Sequence, residues 1–222
     1  MKKFAILITL FLLVLQAAKA QNQKGDQNLG ISLGFYTNNG NYNYLSSNPS
    51  PTTVLTTSNS IGFSTNPNYS YFIANNLDIG ASIGFGSGTS NYDDRTDKIL
   101  TKQVSKNYFA SVYLRKYFLY NNKIGIRTGP YLSYQYSNSN VVYTPDNNQV
   151  NSNFNSHNYQ AGFIADFVYY PASKLGLAVN LGNLSYNNNK YNSQQQSSSS
   201  NGVNLQLLNS NLMLSAFYVF GK

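Results

Sequence analysis

Ser156 and His157 stand side by side in this 222-residue chain, and His157 is its only histidine. A hydroxyl activated by an imidazole is one route to nucleophilic catalysis, but it needs a third group to orient the base. All seven acids are Asp, and none lies close to this pair in sequence. A solvated loop histidine is the plainer reading, and one His without Cys makes a poor metal site. The stretch "NYDDRTDKILTK" gathers Asp93, Asp94 and Asp97 beside Arg95 and Lys98. Clustered carboxylates suit Ca²⁺, yet the glycine and terminal Glu of an EF-hand are missing, and the mixed signs read as a loop tip in water. Neither a metal nor a cofactor is expected. A third candidate is "LDIGASIGFGSG", from Leu77 to Gly88, whose glycines resemble a phosphate-cradling loop.

Counting by twos removes that third candidate. Leu77, Ile79, Ala81, Ile83 and Phe85 fall on one side, with Asp78, Gly80, Ser82, Gly84 and Gly86 on the other. Period two is a strand, and a dinucleotide fingerprint requires a helix after its glycines. The same alternation recurs. Leu29, Ile31, Leu33 and Phe35 share a face; so do Ile124, Ile126, Thr128, Pro130, Leu132 and Tyr134. Tyr159, Ala161, Phe163, Ala165, Phe167 and Tyr169 form another row, and Leu175, Leu177, Val179 and Leu181 the next. Leu212, Leu214, Ala216, Tyr218 and Phe220 form the last, and two less regular segments run from Ile61 to Tyr71 and from Tyr108 to Arg115. About eight strands result. Pro67 and Pro130 fit them worst, because proline removes a ladder hydrogen bond, so a bulge or strand end is expected at each.

Connections alternate between short and long. Short turns fall at Ala74-Asn75-Asn76, Tyr120-Asn121-Asn122 and Pro171-Ala172-Ser173-Lys174. Residues 37–59, 87–106, 137–158 and 187–203 are rich in Asn, Ser, Thr and Tyr and read as long loops. Short turns at one end and long loops at the other are the layout of an outer-membrane barrel.

The N-terminus agrees with export. Lys2 and Lys3 precede an apolar run from Phe4 to Leu15, then Ala18-Lys19-Ala20, so residues 1–20 read as a signal peptide and residues 21–222 as the barrel domain. Without its three lysines the net charge falls from +8 to +5, and the remaining cations form no basic stripe suited to nucleic acid. The chain has no Cys, so disulfides cannot stabilise it outside the cytoplasm.

Two barrels share the alternation, one apolar inside and soluble, the other apolar outside and embedded in lipid. The apolar rows carry no charge within any strand; Lys116 falls at a strand end. A cation on the lipid face at the midplane costs roughly 2–4 kcal/mol. The opposite rows hold Gly, Ser, Asn, Gln, Asp and Arg, which suit a crowded lumen with room for Tyr113 and Tyr131. The lipid-out barrel is therefore expected. Phe35, Phe85, Tyr134, Tyr159, Tyr169 and Phe220 would form its interfacial girdles. By the same parity Arg115 and Arg127 face the lumen from neighbouring strands, flanked by Asp78 and Asp166. One network of four charges is expected, acting as a structural plug that fixes strand register; a gate or ion pathway is the alternative.

"YSYFIANNLDIGASIGFG", "YFASVYLRKYFLYNNKIGIRTGPYLSY" and the terminal "LMLSAFYVF" resemble the small outer-membrane β-barrel proteins of Bacteroidota, related to the OmpA/OmpX-type transmembrane barrel. The resemblance covers essentially the mature chain and is one of pattern. It implies a closed antiparallel barrel in a Gram-negative outer membrane, in contact with outer-membrane lipid and lipopolysaccharide and inserted by the barrel-assembly machinery. That machinery reads a terminal aromatic residue; here Gly221 and Lys222 follow Phe220, a departure from the pattern. No peptidoglycan-binding domain is expected after the barrel. Some barrels of this architecture are lipid A acyltransferases or deacylases using His, Ser and an acid at the outer rim, which would give His157 a role. The expected function is a monomer with a structural or surface-interaction role through its loops, possessing an extracellular ligand if those loops bind one, and no catalysis. The alternatives are a lipid-modifying enzyme using His157, a narrow channel, and a secreted soluble barrel.

Overall fold

The computed structural model describes residues 22–46, 52–94, 99–144, 149–193, 197–207 and 213–221; the proposed leader lies outside them. Among the described residues there are nine antiparallel strands: β1 (Gln27–Ser46), β2 (Thr52–Ala74), β3 (Leu77–Asp94), β4 (Ile99–Tyr120), β5 (Ile124–Thr144), β6 (Val150–Tyr169), β7 (Leu175–Ser193), β8 (Ser197–Leu207) and β9 (Met213–Phe220). Each of β1 to β6 pairs with the next, β6 pairs with β7, and β9 returns to β1, closing the ring. β9 lies beside the first part of β7 (Leu175↔Tyr218) and β8 beside the second (Gly182↔Leu207), so together they form one stave of eight. Closure gives β2 to β7 backbone partners on both sides, the condition for crossing a bilayer without helices.

Solvent exposure shows which way the faces point. Phe35 and Ile83 are each 68% exposed and Leu132 60%, whereas Asp78 is fully buried. The barrel is apolar outside and polar inside. Its inner wall carries serine pairs that are direct cross-strand partners: Ser32 with Ser215 at 2.7 Å, Ser82 with Ser111 at 2.7 Å, and Ser105 with Ser139 at 2.8 Å. Such pairs satisfy both hydroxyls while filling little volume. The glycines of "LDIGASIGFGSG" belong to this wall. A Cβ at Gly80 would come within 2.6 Å of the Tyr113 ring, so glycine there makes room for the tyrosine.

The short turns have a local cause. Asn76 lies at φ 59°, and Asn121 and Asn122 lie at φ 49° and 54°. Two consecutive positive φ values are what a tight hairpin turn matching strand twist requires, and Asn tolerates that region.

The structure differs from the sequence reading in four places. The four polar connections are mostly strand: β1 runs to Ser46, β3 to Asp94, β5 to Thr144 and β7 to Ser193, each paired with the strand that follows it. Beyond the apolar band both faces of a hairpin meet polar surroundings, so the alternation that marks a strand vanishes while Thr and Tyr still favour extended backbone. The second difference is at the prolines. β2 and β5 continue through Pro67 and Pro130, each missing two rungs on one side without a change of register: Thr65↔Phe85 resumes at Asn68↔Ser82, and Tyr113↔Tyr131 at Lys116↔Thr128. Third, the bulges lie elsewhere, between Phe72 and Ala74 and opposite Ala165/Asp166, where Ala165 pairs with Gly182 and Asp166 with Asn180. Leu181 is the extra residue, and it flips the parity of β7. Asn183 and Ser185 therefore turn inward and Leu184 and Tyr186 outward, and Gly182 no longer opposes a row ending in Leu181. Fourth, among the described residues β8 pairs with β7 alone, and β1 meets β9 only from Gln27 to Gly34.

Candidate functional site

The four lumenal charges come from four consecutive strands. Asp78 on β3 is the direct cross-strand partner of Arg115 on β4, and Arg127 on β5 that of Asp166 on β6. All four are buried. Arg115 grips Asp78 with two hydrogen bonds, Nη2 to Oδ2 at 2.6 Å and Nε to Oδ1 at 3.1 Å. The Ser70 and Tyr117 hydroxyls also donate to Asp78 Oδ2, at 2.7 and 3.1 Å. Arg127 Nε donates to Asp166 Oδ2 at 2.8 Å, and Asn180 Nδ2 donates to Oδ1 at 3.0 Å. Each carboxylate thus has partners for both oxygens, as burial of charge requires.

The expected network consists of two direct ion pairs joined through Tyr117. Tyr117, the cross-strand partner of Arg127, has its hydroxyl on Asp78 and stands between them. Aromatic rings flank both cations: the Arg115 guanidinium lies 3.9 Å from the Tyr113 ring centre and that of Arg127 lies 5.2 Å from Phe217. Ser70, Tyr117 and Asn180 were missed by the sequence reading. Parity places each on the inner face, but only the register shows which charge it meets.

Below this charge layer, toward the short turns, Phe72, Tyr117, Val168, Tyr170, Ala178, Phe217 and Val219 pack together. The segment preceding β1 is fastened to these turns: Tyr170 Oη donates to Asn22 Oδ1 at 2.9 Å, Asn76 N to Asn22 O at 2.7 Å, and Gly25 N to Phe72 O at 2.9 Å. Burial holds the Tyr170 phenol well above its ordinary pKa, so it remains a donor. Above the layer, a cavity of about 320 Å³ is lined by polar side chains such as Ser32, Asn66 and Gln160 together with Phe109, Ile164 and Met213.

His157 lies within β6 and not in a loop. Neighbouring strand residues point to opposite faces, so Ser156 turns to the lumen and His157 to the exterior. The adjacent pair therefore cannot act as nucleophile and base. The His157 ring is held by the Tyr134 hydroxyl, 2.8 Å from Nδ1, and by ring contacts with Tyr134 and Tyr136. It belongs to an aromatic band that includes Phe63, Phe85, Tyr108, Tyr134, Tyr136 and Tyr159, with centroids of touching rings 5.2 to 6.3 Å apart. Asp93 and Asp94 end β3, whereas Arg95, Asp97 and Lys98 lie outside the described residues. Among the described residues no three His or Asp side chains gather as a metal site would need.

A closed ring of eight staves, apolar without and charged within, with short turns at one end, defines a transmembrane β-barrel of the outer-membrane class. Residues 19–182 match the family described as outer membrane protein beta-barrel domain, and the chain belongs to that family. It is an outer-membrane protein. No curated protein sequence matches it. Among solved structures it is similar to Ail, the attachment invasion locus protein of Yersinia pestis, at 14% identity and a TM-score of 0.42, covering 89% of this chain and 100% of that one. It is also similar to a major outer membrane protein of Thermus thermophilus, at 14% identity and a TM-score of 0.40, covering 87% and 99%. The outer membrane protease OmpT of Escherichia coli follows at 10% identity and a TM-score of 0.35, covering 87% and 94%.

Proposed function

We propose that this barrel is non-catalytic and serves a structural or surface-interaction role, presenting its paired polar hairpins beyond the outer leaflet. The observation that carries this reading is the height to which the strands remain paired. On β5 and β6, Asn138↔Asn155 and Asn140↔Asn153 continue the ladder past the aromatic band, and Asn138, Asn151 and Asn153 are exposed. A hydrogen-bonded wall of asparagine and serine displays amide and hydroxyl groups at fixed spacing, which costs a ligand less ordering than a flexible loop would. The buried Asp78–Arg115 and Arg127–Asp166 pairs act as a plug holding β3 to β6 in register, and the apolar packing beneath them supports a closed lumen. Engagement of the His157 ring by Tyr134, with Ser156 on the opposite face, supports the absence of catalysis there. The protein works as a monomer, surrounded by outer-membrane lipid and lipopolysaccharide, after insertion by the barrel-assembly machinery.

The test compares a deletion strain complemented with the whole chain or with a chain lacking residues 140–153. The shortened barrel should restore envelope integrity but not attachment of cells to surfaces or ligands. Full restoration of both by the shortened chain would remove the surface-interaction role.

A further inference from the structure

The outer face carries a row that neither the charge layer nor the hairpins explain. Phe85, Tyr108, Tyr136, His157 and Lys190 are successive cross-strand partners on β3, β4, β5, β6 and β7. The first four are rings in contact, with centroids 5.5, 6.3 and 5.2 Å apart along the row. The row ends in a cation. Two residues beyond Tyr108 on the same face of β4 stands a second, Lys106, and four further on a third, Lys102. All three lysines are exposed, and the ion pairs among the described residues involve none of them. Asp93 is the outward acid described at this end, and it too makes no ion pair.

We propose that the β4–β7 face is a binding site for a phosphorylated lipid headgroup of the outer leaflet. This deepens the lipid contact proposed above and rests on it. Aromatic rings mark the boundary where hydrocarbon gives way to headgroups, and cations just beyond that boundary lie at phosphate depth. Strands spaced about 4.8 Å apart put β4 and β7 about 14 Å from each other, so Lys106 and Lys190 bracket the Tyr136–His157 pair. A headgroup seated between them meets a cation on each side. Tyr134 occupies His157 Nδ1, which leaves Nε2 as the ring atom available to the headgroup's hydroxyl or phosphoryl oxygens. A free inorganic anion would gain the two lysines without the aromatic wall, so the acyl chains against Tyr108, Tyr136 and Tyr159 favour the lipid-borne phosphate.

Native mass spectrometry of the whole folded protein decides the matter, with diphosphorylated lipid A and enzymatically dephosphorylated lipid A as probes. The wild type should retain the phosphorylated lipid about 30-fold better than the dephosphorylated one, the preference two interfacial lysines supply. The K106Q/K190Q variant should lose most of that preference, and K24Q/K174Q, altered at the short-turn end, should keep it. Equal retention of both lipids by the wild type overturns the site while leaving general lipid contact intact, and retention of neither overturns both. An equal loss in K24Q/K174Q, or displacement by millimolar inorganic phosphate, also overturns it.

Discussion

Asp78 and Arg115 set the terms at the scale of single residues. Both are buried, and each depends on the other for its solvation. Removing one partner leaves a charge in a low-dielectric wall, a loss of about 3–5 kcal/mol, whereas removing both charges costs less than the sum of the singles. Arg115→Met and Asp78→Asn should each lower the urea midpoint of the barrel in detergent micelles, and the double variant should recover part of the loss. Strictly additive losses would mean the two side chains are not coupled. His157 gives a contrasting case. Its Nδ1 is engaged by Tyr134 and the adjacent serine faces the other way, so His157→Ala should leave the covalent composition of cellular lipid A unchanged in a mass profile. A lost acyl group or phosphate modification in the variant would restore the enzyme reading.

At the scale of elements, the turns and the ladders divide the work. Asn122 holds φ 54° at the β4–β5 turn, a conformation that costs a β-branched side chain about 1–2 kcal/mol. Asn122→Val should therefore lower the unfolding midpoint, while Asn122→Gly leaves it equal or higher. The turn's asparagines, most of the inner and outer rows and the ring of about eight staves were legible in the sequence, because each rests on a local rule: positive φ at Asn, or period two across a boundary between lipid and lumen; β8 was not, its residues 197–203 reading as loop. What was not legible depends on partners. Leu181 looks like one more member of an apolar row, and only its neighbour β6 reveals that it is an extra residue. Residues 37–46 carry the composition of a loop, yet lie in a ladder because β2 runs alongside. At Pro130 the strand survives because Gly129 allows the carbonyl of Leu114 to come so close that any Cβ would strike it. The charged residues were found by parity, but their division into two pairs follows from register, which no single row encodes.

For the whole molecule, the stacking order of the interior determines transport. A cavity of about 320 Å³ sits over the charge layer, and the charge layer sits over an apolar cluster fastened by the segment from Asn22 to Asp26. About eight staves leave an interior that side chains can fill, so the tightest layer decides whether ions pass. If the Asp78–Arg115 pair were the gate, the Asp78→Asn/Arg115→Met double variant would conduct. If the apolar cluster is the seal, that variant stays closed, and leakage needs a cut beneath it, such as Phe217→Ala. Phe217 packs edge-on to Tyr170 at 5.5 Å between centroids and also faces Arg127, so its loss opens space on both sides of the boundary. Planar-bilayer recording should therefore show no single-channel steps for the wild type or the double variant, and leak for Phe217→Ala. Each sample is first checked for the migration shift between unheated and boiled protein that marks a folded barrel, since a Phe→Ala change also costs about 3–5 kcal/mol. Steps in the wild type would show that the stacked layers breathe enough to pass ions; steps only in the double variant would transfer the seal from the apolar cluster to the Asp78–Arg115 pair.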